Sequence, residues 1–155
     1  MKRFITGLLL LLTQLQVCAA TVPSNTLVVV QPQKLIDADN VKMGDNVIFM
    51  VSQPVKIEGK VVIPVGTEVK ATVVKKKNNG ILGIPGSIQI GEFQILTNDN
   101  KVLRLSGNIF DEGANRYWAN VGWIFVFPLL FIKGNDGKIQ PTLTHMLYTA
   151  EDINL

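Results

Sequence analysis

With 155 residues the chain has the size of one compact domain, which excludes two large ones. Apolar residues make up 47% and the mean hydropathy is +0.28, part of that excess falling in the first twenty residues. The formal net charge is +3, and without Lys2 and Arg3 it is +1 (13 basic against 12 acidic residues), so charge gives no reason to expect nucleic acid or another polyanion as partner.

Lys2 and Arg3 open the chain, followed by an apolar stretch over 4–12, a more polar Thr13-Gln14-Leu15-Gln16 and the small-residue exit Val17-Cys18-Ala19-Ala20. That order predicts a secretory signal peptide over 1–20, cut after Ala19 or Ala20, and a mature protein that is periplasmic or secreted. The apolar stretch is short of the roughly 20 residues that a membrane-spanning helix needs. Leu15-Gln16-Val17-Cys18 resembles the lipobox of bacterial lipoproteins, but Val17 stands where that motif carries Gly, Ala or Ser. Cys18 is therefore read as a discarded signal residue, and as the single cysteine of the chain it cannot form an internal disulfide.

From Thr21 onward the apolar residues recur with period two, in short runs bounded by Gly, Pro and Asn. The expected strands are 26–30, 46–52, 55–57, 60–63, 67–75, 87–96, 101–110, a run around 124–132, and 144–149. Only 34–40 has the pattern of a short helical turn. Glu58-Gly59, Asn79-Gly80 and Asn98-Asp99-Asn100 each separate two strand-patterned runs and supply the residues that hairpin turns require, so consecutive strands are expected to be antiparallel neighbours. Within 67–75, Thr67, Val69, Ala71 and Val73 share one face. In 101–110, Leu103, Leu105 and Gly107 oppose Val102, Arg104 and Ser106. The expected fold is all-β, a single domain over 21–155 closed as a small antiparallel β-barrel or a β-sandwich, since either hides the apolar faces. Pro64, Thr67, Val69 and Thr72 can be laid on Pro141, Thr144, Met146 and Thr149 as a weak internal echo, which two similar strands also reach by chance.

Few residues carry the marks of chemistry. Lys75, Lys76 and Lys77, beside Asn78, Asn79 and Gly80, are expected at the solvated tip of a hairpin. The run Gly80 to Gly86 lacks the Lys-Ser or Lys-Thr of a phosphate loop and has the look of an apolar connection, with Ile81 and Leu82 available for partner contact. His145 is the sole histidine, so metal binding or a nucleophilic relay would rest on it alone, and its alternating strand context predicts a half-exposed structural role. Asp37 with Asp39, and Asp111 with Glu112, are the carboxylate pairs open to a hydrolase reading. Acidic pairs in loops are more commonly solvated turn residues. No cofactor motif is present, and no enzymatic activity is expected.

The stretch 117–132 holds both tryptophans and an unbroken apolar run over 123–132, about the length of a membrane β-strand and half that of a membrane helix. A core strand, a partner or self-association surface and membrane insertion all fit it. Trp118, Trp123, Phe125 and Phe127 are the candidate contact residues for an envelope protein. Membrane contact follows only if Cys18 is lipidated or the run 123–132 is exposed.

The succession Gly59-Lys60-Val61-Val62-Ile63-Pro64-Val65-Gly66-Thr67, then Gly80 to Gly86, then Ile88-Gln89-Ile90 and a polar turn into Lys101 to Gly107, resembles uncharacterised exported β proteins with an Ile-Pro-x-Gly-Thr hairpin. More distantly it is similar to the periplasmic β-barrel domain of the channel-forming subunit of type IV secretion and conjugation systems. The resemblance covers about half the mature chain and implies a barrel architecture. The long proline-rich, membrane-anchored N-terminal part of that subunit has no counterpart here, which counts against a full transport role and leaves an exported, non-enzymatic envelope module as the expectation, with a lipoprotein or subunit of a secretion or conjugation assembly as the alternative.

Overall fold

The computed structural model describes residues 21–80, 84–97, 101–113 and 135–154. Its strands are β1 (Thr21–Val22), β2 (Leu27–Pro32), β3 (Ile36–Asp37), β4 (Asn46–Val51), β5 (Val55–Ile57), β6 (Lys60–Ile63), β7 (Glu68–Lys77), β8 (Ser87–Leu96), β9 (Val102–Ser106), β10 (Ile109–Glu112), β11 (Lys138–Ile139), β12 (His145–Thr149) and β13 (Ile153–Asn154). The expected all-β class holds, and the closure is a barrel: β2, β4, β7, β8, β9 and β12 are neighbours in that order, and β12 returns to pair with β2. Every one of these contacts is antiparallel, as an even number of up-and-down strands allows, and closure removes the open edges.

Alternation builds the interior. Val47, Phe49 and Val51 of β4, Val69, Ala71 and Val73 of β7, Leu103 and Leu105 of β9, and Val28 and Val30 of β2 are all buried. Their neighbours in sequence on β4, β7 and β9 face outward, because successive side chains on a strand point to opposite faces. Phe49 and Phe93 meet edge to face at the centre, with ring centroids 5.6 Å apart and planes at 75°.

Two irregularities keep that alternation in phase with a curved sheet. Lys70 pairs with Gln94 while Thr72 pairs with Gly91, so β8 carries one extra residue there. As a result its buried positions change from Ile88 and Ile90 to Phe93 and Ile95. Three residues further along β7, at Val74, the extra residue lies on the other strand, since Val73 pairs with Ile90 and Lys75 with Gln89. Glu92, inside the first bulge, has φ 53°, a conformation that L residues seldom adopt.

Short ribbons finish the barrel. β10 continues β9 beyond Gly107 and pairs with the first half of β8. β5 and β6 form a hairpin whose turn residues Glu58 and Gly59 have φ 50° and 81°, the two positive values that suit a tight antiparallel turn. β3 pairs with β11, and β1 with β13, so the two ends of the domain are clasped together. Segment 34–40 therefore does not form a helical turn: β3 occupies its middle, and Asp39 N donates to Asp37 Oδ1 at 3.1 Å in the turn that follows. Lys75, Lys76 and Lys77 likewise belong to the end of β7 and not to a hairpin tip. The Lys76 Nζ donates to the Val41 carbonyl at 2.7 Å. The internal echo does not survive either, because Val69 is fully buried whereas its counterpart Met146 is 68% exposed, so the matched residues face opposite sides.

Among the described residues Thr149 is the one buried polar side chain, and its hydroxyl is fully used. It donates to the Pro23 carbonyl at 2.7 Å and accepts from Thr26 N at 2.9 Å, fastening the 23–26 turn to the end of β12. Thr149→Val keeps the shape but orphans both partners. The expected loss is about 2 kcal/mol, from the cost of unmade hydrogen bonds at part-buried groups. Thr149→Ser retains them and is expected to lose less, and urea unfolding of the two variants checks the difference.

Candidate functional site

The interior of this small barrel is filled by its own side chains, which leaves its outer surface for contact with other molecules. Outward positions of an antiparallel sheet are ordinarily polar. On β2 and β12 they are not. Leu27 pairs with Tyr148 and Val29 with Met146, which sets four apolar side chains side by side on the outside of two adjacent strands. Leu27, Met146 and Tyr148 are 44%, 68% and 45% exposed, while Val29 is nearly covered. Beside this row a cleft of about 320 Å³ is lined by Thr26, Leu27, Val29, Gln53, Pro54, Val55 and Lys56, its far wall formed by the approach to β5. The row is apolar in sequence on both faces of β12, Met146 and Tyr148 outward and Leu147 inward. That doubled pattern is the signal by which the sequence reveals it.

The tryptophan-rich stretch with Trp118, Trp123, Phe125 and Phe127, the run 123–132, Ile81 and Leu82, the segment 98–100 and the segment 1–20 with Cys18 all lie outside the described residues. In the Gly80 to Gly86 connection, Gly80 N donates to the Ile84 carbonyl at 3.0 Å and Ile84 is 44% exposed.

One carboxylate of each pair is engaged in holding strands together. Asp111 and Glu112 are successive residues of β10 and so project to opposite faces, and Asp111 Oδ2 accepts from Lys138 N at 2.7 Å. Asp37 forms an ion pair with Lys138, Oδ2 to Nζ 3.1 Å, which holds β3 and β11 together from the side-chain end. Partial burial pushes the Asp37 carboxyl upward. The Asp39 amide and the Lys138 ammonium outweigh it, so the group sits below the ordinary carboxylate range. Asp152 is also held low, by the Ser24 amide that donates to it. Among the described residues no three His, Cys, Asp or Glu side chains form a metal-binding group.

His145 is half-buried at the barrel end of β12, its ring edge to face with Phe49 at 6.3 Å and 81°. Its Nε2 has no hydrogen-bond partner among the described residues. Burial lowers the imidazole below its ordinary value, more than the opposing attraction of the Asp111 carboxylate raises it. Well above the ordinary imidazole value of about 6.5 the ring is neutral in folded and unfolded chains alike, and the shift contributes nothing. As the pH falls below that, the unfolded chain takes up the proton first, so stability is lost on acidification. His145→Phe removes the group, so its stability relative to the parent is expected to rise between about pH 7 and about pH 5, read from urea midpoints. Asp37 and Asp152 add their own loss only near and below about pH 4, where unfolded carboxylates begin to protonate.

No protein-family model matches the sequence, and no curated protein matches it.

Proposed function

We propose that the protein is an exported, non-enzymatic module of the cell envelope that works by binding another envelope protein or a second copy of itself through the outside of its barrel. The observation that carries this reading is the apolar row Leu27, Val29, Met146 and Tyr148, which the barrel's own core does not require. Solvent-facing apolar side chains scattered singly need no explanation, but a contiguous group beside a cleft is the usual mark of a contact surface. The leader-like N-terminus supports export, and the hairpin resemblance supports an envelope setting.

A photo-crosslinking residue placed at Met146, an exposed position at which substitution leaves stability within about 0.5 kcal/mol, tests it in cells that make the protein. A discrete adduct, with an envelope protein or at twice the chain mass, is the expected result. Absence of any adduct at Met146 and at Tyr148, or recovery of the protein in the cytoplasmic fraction, contradicts the proposal.

A further inference from the structure

We propose that the outer face of β4, β7 and β8 is a second binding site, built for a neutral polyhydroxylated ligand such as a segment of an oligosaccharide. Register places six outward side chains there in two rows across three strands. Ile48, Lys70 and Gln94 form one row, and Asn46, Thr72 and Glu92, beside Gly91, form the other. These six and Ala71 line a cleft of about 390 Å³, a volume within the range of small-molecule sites. Asn46 and Ile48 also line an adjoining cleft of about 340 Å³ whose walls include Gln33, Lys34, Leu35 and Asp45, so there too one ammonium is matched by one carboxylate.

The bulge in β8 creates this arrangement. Glu92 and Phe93 both stand opposite Ala71, Phe93 turns into the core, and Glu92 is left facing outward with φ 53°. A non-glycine residue held in that region costs stability, and such residues persist most often where the side chain is needed in place. Here the strained residue is the one carboxylate of the cleft.

The chemistry of the lining selects the ligand. Two amides, a hydroxyl, an ammonium and a carboxylate supply donors and acceptors together, and the two charges cancel, which disfavours a strongly anionic or cationic occupant. Among the described residues none of the five polar side chains is hydrogen-bonded or ion-paired to another protein group. Planar amide and carboxylate groups engage neighbouring hydroxyls two at a time, and Ile48 offers an apolar contact for the C–H face of a ring. An extended peptide is the poorer fit at the centre of the cleft: β7 is hydrogen-bonded on both sides at this level, to β4 and to β8, so no strand edge is open beneath it to receive a backbone. This site uses different strands from the apolar row and does not depend on the function proposed above.

The test is a titration of the isotope-labelled full chain with maltotriose, with tri-N-acetylchitotriose and, as the competing class, with a Gly-Ser hexapeptide, followed by backbone amide shifts. The expected result is saturable movement of Thr72, Glu92 and Gln94 with at least one sugar. Gln94→Ala should weaken that binding about fivefold, the usual effect of deleting one neutral hydrogen bond. Glu92→Gly separates function from folding, because glycine relieves the backbone: its melting temperature should be unchanged or higher while sugar binding falls. Shifts with neither sugar, shifts confined to other strands, a response to the peptide alone, or full sugar affinity in Glu92→Gly each overturn the proposal. A failed sugar titration leaves crosslinking at Met146 unaffected, so the two proposals fail separately.

Discussion

Phe49→Ala is expected to cost about 3–5 kcal/mol, the range for deleting a fully buried aromatic ring. Phe49 has no exposed surface and fills the middle of the barrel against Phe93 and His145. The wall around it is a closed hydrogen-bonded sheet, which cannot collapse far into the space vacated, so little of the cavity cost is recovered. Since small domains are stable by only about 5–15 kcal/mol, the variant should be marginal at room temperature. Its sequence neighbour provides the control. Ile48 faces outward on the same strand, and Ile48→Ala is expected to stay within about 0.5 kcal/mol of the parent. Urea unfolding of the pair measures the contrast directly. Equal losses in the two variants contradict the inward and outward assignment of β4.

A second large effect is expected at Gly113. Here the constraint is space, with no positive φ involved: a Cβ on Gly113 falls on the carbonyl of Asn135, a backbone group that cannot swing away. That carbonyl accepts from Gly86 N at 3.0 Å, and Gly113 N in turn donates to the Gly86 carbonyl at 2.9 Å. Three chain segments thus cross at backbone contact, with Gly137 adding a fourth close approach, 2.7 Å from its Cβ position to the Asp111 carbonyl. Gly113→Ala is expected to cost about 3 kcal/mol, at the upper end for overpacking, because separating the segments breaks both hydrogen bonds. Gly59→Ala makes the comparison. Its Cβ meets open space and only its φ of 81° is strained, so about 1 kcal/mol is expected. Thermal melts of the two variants rank them, and a Gly59→Ala loss as large as that at Gly113 contradicts the packing argument.

The legibility of this fold follows the range of the interactions involved. β4, β5, β6 and β8 lie within one residue of their expected limits, because period-two burial is a local signal and the turn at Glu58-Gly59 announces its hairpin. Segment 101–110 reads as one strand in sequence. In the barrel it divides at Gly107, where β9 and β10 pair with successive halves of β8. The β3 and β11 ribbon, and the clasp of β1 with β13, join residues about a hundred or more positions apart through two-residue pairings too short to leave a pattern. The same holds for the candidate sites. Met146 and Tyr148 are visibly apolar on the wrong face of their strand, whereas their alignment with Leu27 and Val29 depends on a pairing that spans most of the domain.

Composition and alternation alone determine that this chain builds an antiparallel β domain, since a side chain's face on a strand depends only on its neighbours along the backbone. Tertiary structure decided how the sheet ends: β12 meets β2, and the choice of barrel over sandwich lies in that one long-range register. It also decided where the sheet bends. The bulges that turn Phe93 inward and leave Glu92 strained on the surface arise only when two particular strands of unequal count are laid against each other.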